Sequence, residues 1–172
     1  MNINYFELFD LETSFLIDDE ALKKAYQTQV KRFHPDNFAT KSQAEQLQAL
    51  QSTSLVNSAY TTLKTPLNRA SYLLNLEDVN PFDEKDTNMD ANFLVAQIEL
   101  REQLEGIKEQ QDSLALDDFI ERVQDFIMDN VASISEAFRH SRDLQEIKTL
   151  VRELKFYEQL NKEANILMDE WL

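Results

Sequence analysis

Apolar residues recur along this chain three and four positions apart, the spacing that keeps them on one face of a helix. Leu22, Ala25, Tyr26, Val30 and Phe33 make one such stripe, and Val56, Ala59, Tyr60 and Leu63 make another. Start and stop signals stand where these stripes need them. Asp18 is a good N-cap for the first, with Ile17 before it and Leu22 after it placed to close a hydrophobic staple. Pro35 ends that helix, because the residue before a proline is pushed out of the α region. Ser42-Gln43-Ala44-Glu45 reads as a capping box opening the next helix. Thr65-Pro66 supplies the N-cap and first-turn proline of another, running through Leu74. A short helix is expected over residues 5–11.

The second half carries longer periods. Residues 75–90 are polar and acidic, hold Pro81 and keep no sustained period, so the spacing predicts a linker there. Beyond it lie three periodic stretches, near 91–110, 114–138 and 142–172, separated by short polar breaks as in an antiparallel bundle. The expectation is an all-α chain in two domains: a helical domain over 1–75, a linker over 76–90 and a three-helix bundle over 91–172. Composition agrees. The 172 residues include one glycine and three prolines, too few for strands joined by tight turns.

Charge sharpens the division. The net charge is −15, with about −1 on residues 1–75 and −14 on residues 76–172. A surface so negative repels phosphate backbones and anionic lipid, so neither nucleic acid nor a membrane surface is an expected partner. The chain has no cysteine, which excludes disulfides and any cluster or metal held by its own thiolates. Residues 1–10 lack the basic segment and apolar core of a signal peptide. No apolar run approaches the roughly 20 residues of a membrane span. A soluble cytoplasmic protein with no resident metal or cofactor is expected.

One tripeptide stands out. His34-Pro35-Asp36 begins the loop between two capped helices, with Phe33 ahead of it. Read alone, it is a helix stop with a local Asx-type hydrogen bond. An acid–base pair of His34 with Asp36 has no accompanying nucleophile or glycine-rich loop, and His140 lies far along the chain without a partner pattern. The flanking segments change the reading: Tyr5-Phe6-Glu7-Leu8-Phe9 before it, a basic Leu22-Lys23-Lys24-Ala25-Tyr26 helix, and Val56-Asn57-Ser58-Ala59-Tyr60-Thr61-Thr62-Leu63 after it. Together these resemble a J domain. Arg69-Ala70-Ser71-Tyr72-Leu73-Leu74 and Glu99-Leu100-Arg101-Glu102-Gln103-Leu104 extend the resemblance, over nearly the whole chain, to the HscB type of J-domain co-chaperone.

The resemblance implies a J domain followed by a three-helix bundle, and a co-chaperone rather than an enzyme. It implies that His34, Pro35 and Asp36 dock on a DnaK-type ATPase, HscA-like, and stimulate ATP hydrolysis. Asp36 suits a charge-assisted hydrogen bond to a partner arginine, and Pro35 fixes the loop so that less entropy is lost on docking. Lys23, Lys24, Lys31 and Arg32 form the basic docking face. Many general J domains carry two more cations past the tyrosine, where this chain has Gln27 and Thr28. Steering toward a general ATPase is weaker for that reason, as suits a dedicated partner.

The first bundle helix carries a second stripe. At about 100° per residue, Phe93, Ala96, Leu100, Leu104 and Ile107 cluster on one face, while Leu94, Val95 and Ile98 fall nearly opposite, flanked by Glu99 and Glu102. On the last helix, with Ile147, Val151 and Leu154 inward, Phe156 is expected to point outward. Such residues are either the lone exposed apolar side chains common on any surface, a face that meets the other domain, or a partner-binding apolar patch rimmed by carboxylates. In the HscB type this region binds the iron–sulfur scaffold protein IscU, and the matching positions are Leu94, Val95, Ile98, Glu99, Glu102 and Phe156. Gly106 stands where the family often has a further acid. Competing readings are a J protein for a different client and a structural acidic helical protein.

Overall fold

The helix-start residues bind the backbone donors that their positions predict. The computed structural model describes residues 3–86 and 89–172. Met1 and Asn2, within the stretch weighed as a signal peptide, and Thr87 and Asn88, within the expected linker, lie outside the described residues. The elements are α1 (Tyr5–Leu8), α2 (Asp19–Arg32), a 3-10 turn (Pro35–Phe38), α3 (Gln43–Lys64), α4 (Pro66–Leu76), α5 (Ala91–Gln110), α6 (Ser113–Glu136), a π turn (Ala137–Ser141) and α7 (Leu144–Trp171). No strand occurs among the described residues. The chain divides into two units, residues 1–73 and 74–172.

In the first unit, the Asp18 carboxylate accepts from the Glu20 and Ala21 amides at 2.9 and 3.1 Å, and Leu22 is buried one turn later. The Ser42 amide donates to the Glu45 carboxylate at 3.0 Å while the Glu45 amide donates to Ser42 Oγ at 3.3 Å, closing the capping box. Hydrogen bonds from the Ser42 side chain and backbone hold the Glu45 carboxyl below its usual range. Helix α3 buries Ala49, Val56, Ala59 and Leu63. Aromatic pairs add to the packing: Tyr26 stacks on Tyr60 at 4.0 Å and Tyr5 on Tyr72 at 4.7 Å.

A buried arginine ties the unit together. Arg69 on α4 is 7% exposed, and its guanidinium donates to the carbonyls of Phe15 at 2.6 Å and Leu63 at 2.8 Å. These bonds fasten the α1–α2 loop and the end of α3 to α4. Burial pushes the Arg69 guanidinium below its ordinary value, against the opposing pull of Asp19.

In the second unit α6 and α7 run antiparallel, with α5 packed on both. Phe93, Leu100 and Leu104 of α5 meet Leu116, Phe119, Ile120 and Val123 of α6 and Phe156, Leu160, Ala164 and Leu167 of α7. Residues 77–86, expected to form part of a linker, lie along α7. Pro81 is buried, the Lys155 amine sits 4.2 Å above the Phe82 ring, and the Asp86 carboxylate pairs with Lys148 and with Arg152. The single glycine is mid-helix, so several helix ends use other residues. Gln111 (φ 50°) closes α5 and Arg142 (φ 48°) closes the π turn, both in the left-handed region that favours glycine.

Candidate functional sites

The His34-Pro35-Asp36 segment opens a short, hydrogen-bonded 3-10 turn. Helix α2 stops at Arg32, and Pro35 opens the 3-10 turn. His34 Nδ1 accepts from the Asp36 amide at 3.3 Å, and the Asn37 side-chain amide donates to the Lys31 carbonyl at 2.7 Å. The second bond clips the loop to the last turn of α2. Thr53 of α3 adds a hydroxyl bond to the Phe33 carbonyl at 3.4 Å. The Asp36 carboxylate lies 3.5 Å from His34 Nδ1. That carboxylate is 91% exposed and open to a partner cation.

The four cations expected to form a basic face all stand on α2. Lys23 and Lys24 stand exposed in the first half of α2, and Lys31 and Arg32 stand exposed in its last turn. Cations in that turn also complement the helix dipole. Arg32 lies over the Phe33 ring at 5.2 Å, an orienting contact for a side chain next to the His-Pro-Asp loop. Thr28 turns its hydroxyl back onto the Lys24 carbonyl at 3.0 Å, so it adds little to this face.

In the second unit Leu94, Val95 and Ile98 are 42%, 55% and 59% exposed on α5, and Glu99 and Glu102 are exposed beside them. The opposite face of the helix is spent on the bundle core. Phe156 does not share this surface. It is buried, meets Phe93 edge-on at a ring separation of 5.7 Å, and is covered by the Arg101 guanidinium, which also bonds Glu163 at 3.0 Å. The outward Phe156 expected from the sequence is corrected here, and helix phase explains it. The first half of α7 buries Ile147, Val151 and Leu154, whereas the second half buries Phe156, Leu160, Ala164 and Leu167. At 100° per residue the second set lies on the far side of the helix from the first. A single stripe extended along all of α7 points Phe156 outward, and the change of phase turns it into the core.

Two contacts carry no signal in periodicity. Asn37 is a plain polar loop residue until its bond to Lys31 is seen. Asn130 is buried in α6, and its amide donates to the Glu153 carboxylate at 3.3 Å. Burial, and then the nearby Asp90, raise the Glu153 carboxyl above its usual range. Among the described residues no group of three or more His, Cys, Asp or Glu could hold a metal ion, and no helix is long and apolar enough to cross a membrane.

Both units match known families. Residues 4–72 match the DnaJ domain family, and residues 89–165 match the family described as the HSCB C-terminal oligomerisation domain. The co-chaperone protein HscB homolog of Aliivibrio salmonicida is 39% identical over 171 residues, 99% of each chain. Among solved structures, chaperone HscB from Vibrio cholerae superposes with a TM-score of 0.87 at 37% identity, over 99% of this chain and 100% of the other. Human co-chaperone protein HscB gives a TM-score of 0.89 at 29% identity, over 96% of this chain and 82% of the other. An all-helical chain with a hydrogen-bonded His-Pro-Asp loop and an acidic bundle, alike over its full length to these proteins, belongs to the HscB family of J-domain co-chaperones, which regulate a partner ATPase and are not enzymes themselves.

Proposed function

We propose that this chain is a cytoplasmic adaptor that brings an iron–sulfur scaffold protein, IscU-like, to a dedicated DnaK-type chaperone, HscA-like, and stimulates that chaperone's ATPase for cluster maturation and transfer. In this reading residues 1–75 act as the ATPase-docking domain and residues 91–172 as the client-holding domain. His34, Pro35 and Asp36 engage the ATPase, with Lys23, Lys24, Lys31 and Arg32 steering it. Leu94, Val95 and Ile98 anchor the client within a rim made by Glu99 and Glu102. Phe156 supports the α5 face from beneath, through Phe93.

The observation that carries the reading is the docking loop. Its backbone is already fixed by Pro35, Asn37 and the His34–Asp36 bond, while the Asp36 carboxylate remains almost wholly in solvent. A preorganised loop loses little entropy on binding, and an exposed carboxylate is ready for a charge-assisted bond to an arginine. The client surface follows from the same logic. A helix that packs on one side has no folding reason to expose three neighbouring aliphatic residues on the other. The test is steady-state ATP hydrolysis by the DnaK-type chaperone of the same cell, with this protein alone and with the scaffold added. Stimulation by the chain alone, increased by the scaffold, is the expected result. A flat rate in both conditions contradicts the proposal.

A further inference from the structure

The segment that follows α4 carries charge of one sign, and the helix it lies along answers with the other. Residues 77–86 hold Glu77, Asp78, Asp83, Glu84 and Asp86 against the single cation Lys85. On α7, Lys148, Arg152 and Lys155 stand four and three residues apart, which keeps them within an arc of about 60°. The strap meets this cationic stripe. The Asp86 carboxylate pairs with Lys148 and lies 3.9 Å from the Arg152 guanidinium, which also donates to the Asp86 carbonyl at 3.0 Å. Glu77 faces Arg142 at 4.0 Å, and the Lys155 amine covers the Phe82 ring.

The two cations gathered on Asp86 are largely withdrawn from water, at 13% and 19% side-chain exposure. Cations so placed are costly to hold without a counter-charge, and like charges one helical turn apart repel. One carboxylate answers both. The rest of the strap is thinly anchored. Asn80, Asp83, Glu84 and Lys85 are exposed, while Pro81 is buried and Phe82 half-buried. The amides of Phe82, Lys85 and Asp86 donate to Asn80 and Asp83, within the strap itself.

We infer that residues 77–86 are a latch held shut by charge: Asp86 on Lys148 and Arg152 pins the strap to α7, and loss of that pairing frees it while the bundle helices stay folded. Segments with few buried contacts and exposed backbone open before the core does. Salt acts on the same pairing, since the screening length falls from about 10 Å at 0.1 M to about 3 Å at 1 M. Opening adds roughly ten residues of free chain between α4 and α5, about 18 Å of reach for a flexible coil. The latch is thus a device for changing the length of the connection between the two units without unfolding either.

Limited trypsin digestion of the full chain tests this, because a protease needs several residues of free chain and its rate follows the open population. Cleavage after Lys85 reports the strap, and cleavage after Arg122, in the middle of α6, reports global unfolding. Lys148→Gln with Arg152→Gln removes both cations at a distance in sequence from the scissile bond. Cleavage after Lys85 should rise roughly 10-fold at low salt, with cleavage after Arg122 unchanged. The ratio of variant to parent should fall below about threefold at 1 M NaCl, where screening opens the parent too. Lys148→Arg with Arg152→Lys keeps both charges and should stay within about threefold of the parent. A Gln variant cut after Lys85 within twofold of the parent shows that Pro81 and Phe82 hold the strap without the charges, and overturns the latch. Equal acceleration at Lys85 and Arg122 also overturns it, since the strap then opens only with the bundle. So does a charge-conserving variant cut as fast as the Gln variant, or a ratio that salt leaves unchanged.

Discussion

The two units present their surfaces by opposite means. In the first, a loop does the presenting, and polar bonds stiffen it: Asn37 to Lys31, and the Asp36 amide to His34. In the second, a helix presents an apolar face simply because the core takes only the opposite one, and carboxylates rim it. The first unit is nearly neutral and the second carries almost all the negative charge. The contrast shows what each surface must supply. A loop has to be fixed before it can dock without a large entropic cost, so its support is visible as hydrogen bonds. A helix face is rigid already, so nothing marks it beyond apolar residues left out of the core.

The contrast is broken most severely at the loop. His34→Gln should abolish ATPase stimulation, a loss of at least about 100-fold in efficiency on the scale of interface hot spots. The fold should survive, since an exposed substitution shifts stability by about 0.5 kcal/mol or less. Unchanged stimulation by a well-folded variant would show that the loop does not dock. Next in size, Leu94, Val95 and Ile98 replaced together by alanine should weaken calorimetric binding of the scaffold by about 100-fold, from a loss of about 1 kcal/mol or more at each anchor. Little loss of thermal stability should accompany it. A large drop in melting temperature would mean that this face is internal.

Phe156→Ala sharpens the difference between the two apolar sets of the second unit. Losing a buried ring should cost about 3 kcal/mol or more, which lowers the melting transition by roughly 6–12 °C. A variant that binds scaffold poorly but melts normally would return Phe156 to the surface. Smaller still is Gly106→Ala. A Cβ at Gly106 meets nothing within 4 Å, so the change should stabilise α5 by about 0.5–1 kcal/mol. A lowered melting temperature would contradict the open space there.

The smallest effect concerns pH. Because the folded state raises the Glu153 carboxyl above its usual range, ionised Glu153 opposes folding near neutrality, and the penalty fades as pH falls and the group protonates. Glu153→Gln keeps an oxygen for the Asn130 amide, so it should stabilise the second unit at neutral pH. The half-buried position is screened by solvent, which limits the gain to under about 1 kcal/mol. Melting curves from pH 7 down to about 4 should show the gain shrinking, and a gain that grows with acidity would refute the assignment.

Much of this was legible because it is local. The N-caps at Asp18 and Ser42 and the stop at Pro35 depend on neighbours within four residues, and the structure places them as read. The apolar face of α5 was legible for a similar reason, since one helix keeps one phase. Arg69 was different, because its bond to the Phe15 carbonyl joins positions 54 residues apart. Phe156 failed for another reason: α7 changes its buried face along its length, and no single phase describes it. The bonds of Asp86 to Lys148 and Arg152 were hidden in a stretch with no period, where periodicity says nothing about tertiary contact.

The central claim is that docking and client-holding are separate surfaces on one adaptor. It is tested most directly by titrating the scaffold into the ATPase assay with the Leu94→Ala, Val95→Ala, Ile98→Ala chain. The account predicts stimulation equal to the parent chain without scaffold and no further rise as scaffold is added. A full scaffold-dependent rise would contradict the client surface, and lost stimulation without scaffold would contradict the separation.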